Sequence, residues 1–422
     1  MTSHPTKPQG PSIGLAQLNA YDLSNLVGAG IFVIPALAQD AAGPWVLLVW
    51  LLMVVGAVPT AWVMCRISMD YPDDNGILRF IGVTVSARLT GAISKLIVLI
   101  MVIGNPIMGV ISARYAIAAF GLDANLLYGL AIGFMLISVA FNMMGLRSSA
   151  RVQTVLVAVA MTTLVVLASL SVEIADRFVP QFAPVPVNGI MMAMGICFFA
   201  FLGWENVATI APDVKNPGRN FPLALIICVP LVGAIYLIVA LALLLTTQET
   251  GLQGNFAVMD HLVAVFANPT LRFGVNLLAL AVVVLSTNAW VLSAARLLSS
   301  GVRDGHLPAV LSRGTGGIDP LTMGTLALAY SGVIGLMYLF QGGEETIVPF
   351  VSAGFLVIYL VAFWGAIKRY RHSMTWWFAV FGIAIIGLFA VSTLVNTLLV
   401  LVLLTSFLLL GRQRSLPRQS PN

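Results

Sequence analysis

A chain of 422 residues that is 59% hydrophobic and only 9% charged, with a mean hydropathy of +0.99, is excluded from the ordinary soluble globular class and reads as a polytopic membrane protein. The formal net charge of +5 comes from basic residues scattered between apolar runs. No cluster of the kind that tracks phosphates is present, which excludes a nucleic-acid partner.

The first residues, MTSHPTKPQGPSIG, carry prolines at 5, 8 and 11 and no apolar core followed by a small-residue cleavage site. They read as a flexible tail over 1-14, not as a signal peptide. A span needs roughly 20 apolar residues to cross about 30 Å of hydrocarbon. Such runs fall at 15-38, 44-66, 92-120, 124-144, 151-172 and 189-212, then at 222-247, 272-299, 320-340, 346-367, 375-393 and 394-411. They predict twelve transmembrane helices, the last two separated by a tight turn near Val395-Asn396, with one long tilted helix as the alternative. With the N-terminus inside, all lysines and arginines except Arg114, Arg177 and Arg272 fall on the cytoplasmic side. The positive-inside rule therefore predicts both termini, including a tail over 412-422, in the cytoplasm.

The three cysteines lack metal-like spacing and read as small buried hydrophobes. His4, His261, His306 and His372 fall outside the apolar runs and read as solvated loop residues. Together these exclude haem, zinc and an intramembrane hydrolase, so no metal, no cofactor and no enzyme are expected.

Helix 1 is interrupted by Gly28-Ala29-Gly30 in LVGAGIFVIPAL. Helix 6, MMAMGICFFAFLGWENVATIAP, carries Gly195, Gly203 and Glu205, on this reading the only acid deep in any span. If helices 1-5 (15-172) and 6-10 (189-367) are repeats, with helices 11-12 at 375-411 outside them, the odd helix number inserts the second repeat upside down. A break in lipid leaves backbone N–H groups at one half-helix start and carbonyls at the other half-helix end, favouring an anion and a cation respectively. Two antiparallel breaks side by side suit an amino-acid zwitterion.

These stretches carry a resemblance. GAGIF with Pro35, FFAFLGWENVATIAPDVKNPGRNFPLAL and AARLLSSGVRDGHLP resemble helix 1, helix 6 with its following loop, and the end of helix 8 in the amino acid-polyamine-organocation (APC) transporter superfamily. Within it, GAGIFVIPALA and SARVQTV are most similar to the inner-membrane exporters of methionine and branched-chain amino acids. The resemblance implies an all-α, LeuT-like 5+5 inverted-repeat fold with helices 1 and 6 broken. It implies a substrate carboxylate on the N–H groups of Ala29, Gly30 and Ile31, and an ammonium on the carbonyls of Phe199, Ala200 and Leu202. Asn25 and Glu205 fall where relatives join the broken helices and gate them. Many relatives have serine at Ala29, so this chain lacks one hydroxyl donor there.

Each position has a second reading. Gly28 and Gly30 also suit close helix packing. Glu205 suits a structural and gating role ahead of proton carriage. Asn105, in GNP on helix 3, faces the pathway or makes an interhelical hydrogen bond. Trp290 walls the pocket or packs in the bundle, and Phe198, Phe199 and Phe201 shape an apolar pocket or simply pack. Arg114 is read as snorkelling to the outer interface. Ser286 and Thr287 are weak evidence for a sodium site. The expected function is secondary active transport across the bacterial inner membrane. The expected cargo is neutral apolar amino acids (methionine, leucine, isoleucine, valine), exported by proton antiport or exchange. Uptake by proton symport is the alternative.

Overall fold

The computed structural model of the chain describes residues 13–27, 30–72, 76–145, 150–174, 187–204, 211–246, 256–314 and 319–410. Sixteen α-helices lie within them: α1 (Leu15–Val27), α2 (Ile34–Ala42), α3 (Val46–Asp70), α4 (Gly76–Thr84), α5 (Ala87–Gly104), α6 (Pro106–Phe120), α7 (Leu127–Met143) and α8 (Ala150–Ile174). They continue with α9 (Val187–Phe199), α10 (Pro217–Thr246), α11 (Val258–Ala264), α12 (Pro269–Arg303), α13 (Pro320–Leu339), α14 (Glu344–Arg369), α15 (Met374–Ser392) and α16 (Leu394–Leu410). Each predicted run overlaps one of these helices or a broken pair of them, and several helices extend beyond their runs. By length and composition, nine helical stretches among the described residues can cross a bilayer, counting α2 with α3 and α5 with α6 as continuous. The helices α9 and α16 are shorter apolar pieces.

The break in helix 1 is plain. Regular helix stops at Val27 and restarts at Ile34, with a 3-10 turn Gly30–Phe32 between them. Pro35 sits in the first turn of α2, where its missing N–H costs nothing. Helix 3 is divided at Asn105 because Pro106 has no N–H to continue the ladder. The last two helices part at Thr393, two residues before the expected turn. There the Thr397 hydroxyl takes the Ala390 carbonyl at 2.9 Å.

Counterparts of the two repeats touch one another. α2 packs on α9, α3 on α10, α6 on α12 and α7 on α13. α14 lies against α5, α9, α15 and α16, and it is the most enclosed of the later helices, with one wall of small and aromatic residues from Ser352 to Tyr359 buried. Two short helices, α4 and α11, lie between the predicted spans. They are too short to register as membrane segments. The end of the predicted N-terminal tail is also fixed, because Ile13 pairs with Val214 in an isolated parallel bridge. Ile13 N–H donates to the Asp213 carbonyl, and Lys215 N–H donates to the Ile13 carbonyl, both at 2.9 Å.

Candidate functional site

The two breaks meet. A Cβ placed on Gly30 would lie 3.9 Å from Ala200 Cα and 3.5 Å from the Tyr236 hydroxyl of α10. Beyond the break, the Phe32 carbonyl accepts a hydrogen bond from the Tyr115 hydroxyl at 2.8 Å. The Tyr115 oxygen in turn accepts from Met259 N–H of α11 at 3.3 Å. A backbone group released by the interrupted helix is thereby satisfied without closing the helix again. The Tyr236 ring stacks on Trp50 with centroids 4.3 Å apart. Its hydroxyl, fully buried beside Gly30, has no hydrogen-bond partner among the described residues.

At helix 6, α9 tightens as it ends. The N–H groups of Ala200, Phe201 and Leu202 donate to the carbonyls three residues back, Cys197, Phe198 and Phe199, at 3.0, 3.0 and 3.2 Å. Gly203 then takes φ +124°, a conformation that side-chain-bearing residues avoid, and this is where the helix direction is abandoned. Among the described residues, no donor reaches the Ala200 or Leu202 carbonyl. These are acceptors of the kind an ammonium group would use.

Beside the breaks lies an apolar cavity of about 20 Å³, walled by Asn105, Phe199, Leu202 and Trp290 together with Met101, Met108, Val351 and Phe355. It has room for about one water molecule, so it must widen to hold an amino acid. Asn105 is its single amide. The Asn105 Nδ2 donates to the Tyr330 hydroxyl at 2.9 Å and to the Trp290 carbonyl at 3.2 Å. Asn105 therefore makes the interhelical hydrogen bonds expected of it, tying α5 to α12 and α13, while it lines the cavity. Four of the eight expected binding residues come together here. Gly30 and Ala200 meet next to the cavity without lining it, and Ile31 is fully buried. Gly28, Ala29 and Glu205 lie outside the described residues, as does the side chain of Asn25. A larger groove of about 630 Å³ between α8 and α12 is lined by apolar side chains such as Val159, Val166, Leu170 and Leu271. These side chains are exposed, and the groove lies away from the breaks.

Three expectations need correction. Arg114 does not snorkel. Its Nε and Nη2 donate to the two carboxylate oxygens of Glu344 at 2.6 and 2.9 Å, and its guanidinium lies 5.4 Å from the Phe256 ring centre. Glu344, at the start of α14, is fully buried, and a buried carboxylate takes the nearest fork-shaped donor in preference to leaving it at an interface. Nor is Glu205 the sole deep acid. Asp22 on α1 is 1% exposed. The polar stretch LNAYDLSNLV has the composition of a wet helix end, which hides the depth of Asp22 in the sequence. The histidines are not uniformly solvated: His261 and His306 are half-buried, and only His372 among the described ones is exposed. The His306 imidazole packs on Gly91 of α5, where burial pushes its pKa below the ordinary value and keeps it neutral at pH 7. Among the sodium-site candidates, the Thr287 hydroxyl is used on the Val283 carbonyl at 2.7 Å.

The short helix α11 is held over the outer end of α12. Arg272 donates to both Asp260 oxygens at 2.7 and 2.8 Å, and the Asn276 amide adds a third bond at 2.7 Å. Burial alone would raise the Asp260 pKa, but the hydrogen bonds from Arg272 and Asn276 outweigh it and hold the carboxyl below its usual range. A lowered folded-state pKa gives stability that is present above the unfolded value of about 3.9 and is lost as pH falls through the folded value. The exchange protection of the amides of residues 258–264, relative to their intrinsic rates, is therefore expected to stay constant from neutral pH down to the carboxylate range and to fall below it. Asp260→Asn should lower this protection above the folded-state pKa and converge on wild type below it. Because Arg272 is 47% exposed, the loss is expected to be modest, about 1–2 kcal/mol.

Comparison with known proteins places this geometry. The amino acid permease family profile matches residues 13–415. An uncharacterized amino acid permease of Bacillus subtilis (strain 168), YecA, is 26% identical over 376 residues, 87% of this chain and 88% of that protein. The L-methionine/branched-chain amino acid exporter YjeH of Escherichia coli (strain K12) is 30% identical over 226 residues, 53% of this chain and 54% of the exporter. Among solved structures, MhsT in complex with L-phenylalanine superposes with a TM-score of 0.62 at 16% identity, covering 95% of this chain and 100% of that one. A manganese transporter of Eremococcus coleocola superposes with a TM-score of 0.60 at 12% identity, covering 96% and 94%. At such identities the solved structures establish the fold alone. They bear out the all-α, LeuT-like arrangement.

Proposed function

Because the chain belongs to the amino acid permease family, a family of multi-pass membrane transporters and not of enzymes, we propose that it exports neutral, apolar amino acids by alternating access, in exchange for protons. In this reading residues 15-172 and 189-367 are the two inverted repeats, and both termini face the cytoplasm of a bacterial inner membrane. The observation that carries the reading is the meeting of Gly30 with Ala200 beside a cavity whose only side-chain amide is Asn105. The N–H groups after the helix 1 break receive the substrate carboxylate, with the Tyr236 hydroxyl as a further donor. The unbonded carbonyls of Ala200 and Leu202 receive the ammonium. Phe199, Leu202, Trp290 and Phe355 surround the side chain. No carboxylate stands among these wall residues to meet a distal cation, which disfavours arginine, lysine and polyamines. The partial similarity to a methionine and branched-chain exporter supports the same choice of cargo.

The test is counterflow in proteoliposomes with a panel of labelled compounds. Methionine, leucine, isoleucine and valine are expected to exchange, and arginine and putrescine are not. Exchange of the cations with no exchange of methionine would overturn the substrate assignment. Tyr236→Phe is expected to leave thermal stability unchanged, since the hydroxyl bonds nothing in this conformation. A charge-assisted bond is worth about 1.5–3 kcal/mol, so the same substitution should weaken methionine binding by on the order of tenfold, read from the concentration dependence of exchange.

A further inference from the structure

A second polar site lies below the joined breaks, within α1. Asp22 is 1% exposed, and among the described residues neither carboxylate oxygen has a hydrogen-bond partner. It stands five residues before the end of α1 at Val27, about 7.5 Å along the helix axis.

Among the described residues, no cation stands within electrostatic reach of it. Cys228 of α10 and Cys65 of α3 are within electrostatic reach of the carboxyl. The Cys228 thiol is turned to Asn19, one turn earlier on α1, with Sγ 3.3 Å from Asn19 Oδ1. Both cysteines are buried free thiols. The remaining titratable groups of α10 are Arg219, exposed at its start, and Tyr236, two turns beyond Cys228. α8, which also packs on α1, has no titratable side chain between 155 and 172. The 3-10 turn Gly30–Phe32 has none either. An ionised carboxylate without a donor is not tolerated at such a position, whereas a neutral carboxyl is.

We propose that Asp22 is the proton-binding site of the transport cycle, and that the contracted conformation forms only with a proton on it. The inference rests on the transport reading above. In the contracted conformation the cavity beside the breaks, about 20 Å³, is too small for an amino acid, so it is the conformation in which the carrier returns without cargo. A carrier that returns only when protonated moves protons against cargo, which is antiport. With the site open to the outside, the Asp22 carboxylate accepts a proton from water through the widened pathway. With α1 open to the cytoplasm, the carboxyl O–H bond breaks heterolytically. The proton passes to water, and the carboxylate is left hydrated. Asp22, and not Glu205, then carries the coupling charge.

The test uses the full chain in proteoliposomes with labelled methionine and an entrapped pH dye. Wild type is expected to exchange methionine, to accumulate it against an imposed pH gradient, and to move protons when methionine is added. Coupling free energies between sites are typically worth about 5–150-fold, so Asp22→Asn should keep exchange and lose gradient-driven accumulation by on the order of tenfold. Its exchange should also cease to depend on pH. If Asp22→Asn accumulates methionine as wild type does, Asp22 is not the proton site, while the transport reading survives. If wild type exchanges none of the panel, the transport reading fails and this inference falls with it. Should Asp22→Asn fail to fold, Asp22→Glu decides. A displaced pH profile of accumulation supports the proposal, and an unchanged profile overturns it.

Discussion

Arg114→Ala is expected to destabilise the protein by about 3–5 kcal/mol, because it leaves a fully buried carboxylate without its partner. Glu344 is completely enclosed and Arg114 is 16% exposed, with two short bonds between them. The pair joins the end of helix 3 to the start of α14, so its loss frees one wall of the cavity. Glu344→Gln should cost less, since a neutral amide needs no counter-charge. The double replacement Arg114→Met with Glu344→Met should recover much of the loss, since apolar side chains of similar volume often replace a buried pair with little cost. Thermal unfolding in detergent compares the three. Equal melting temperatures for Arg114→Ala and wild type would show that the Glu344 carboxylate finds water or a proton at that depth.

The second large effect is expected at Gly30. A Cβ there meets Tyr236 and Ala200 at 3.5 and 3.9 Å, ordinary van der Waals distances, so Gly30→Ala should retain exchange. Gly30→Leu adds three more carbons where the two breaks approach. Overpacking of this kind costs about 1–3 kcal/mol, and here it falls on the binding geometry, so exchange should drop on the order of a hundredfold. If alanine were as damaging as leucine, the glycine would be serving its backbone conformation and not the approach of the two helices.

The helix breaks were legible because their signal is local: a glycine pair followed by a proline inside an apolar run interrupts the helix wherever lipid would otherwise demand an unbroken one. Asn105 was legible for the same reason, as an amide between glycine and proline in a span. The short helices α4 and α11 were not legible, since 9 and 7 residues give no span-length signal. The ion pair of Arg114 with Glu344 joins positions 230 residues apart, and nothing in either neighbourhood names the other. Asp22 was obscured by its neighbours. Asn19, Ser24 and Asn25 make the stretch read as hydrated, and only the packing of α10 and α8 on α1 shows that position 22 is sealed.

On the proposed reading, the two breaks hold the carboxylate and the ammonium of one zwitterion through backbone groups, leaving the side chain to the apolar wall. Competition against labelled methionine exchange tests this most directly. Norleucine keeps both charged ends and changes only the side chain, and it is expected to compete. At concentrations equal to that of methionine, neither 3-(methylthio)propylamine, which lacks the carboxylate, nor 4-(methylthio)butanoate, which lacks the ammonium, should compete, since losing a charge-assisted partner in a buried site typically costs about 1.5–3 kcal/mol, roughly 10–150-fold in affinity. If either one competes as well as norleucine, only one of the two breaks binds substrate, and the zwitterion site is contradicted.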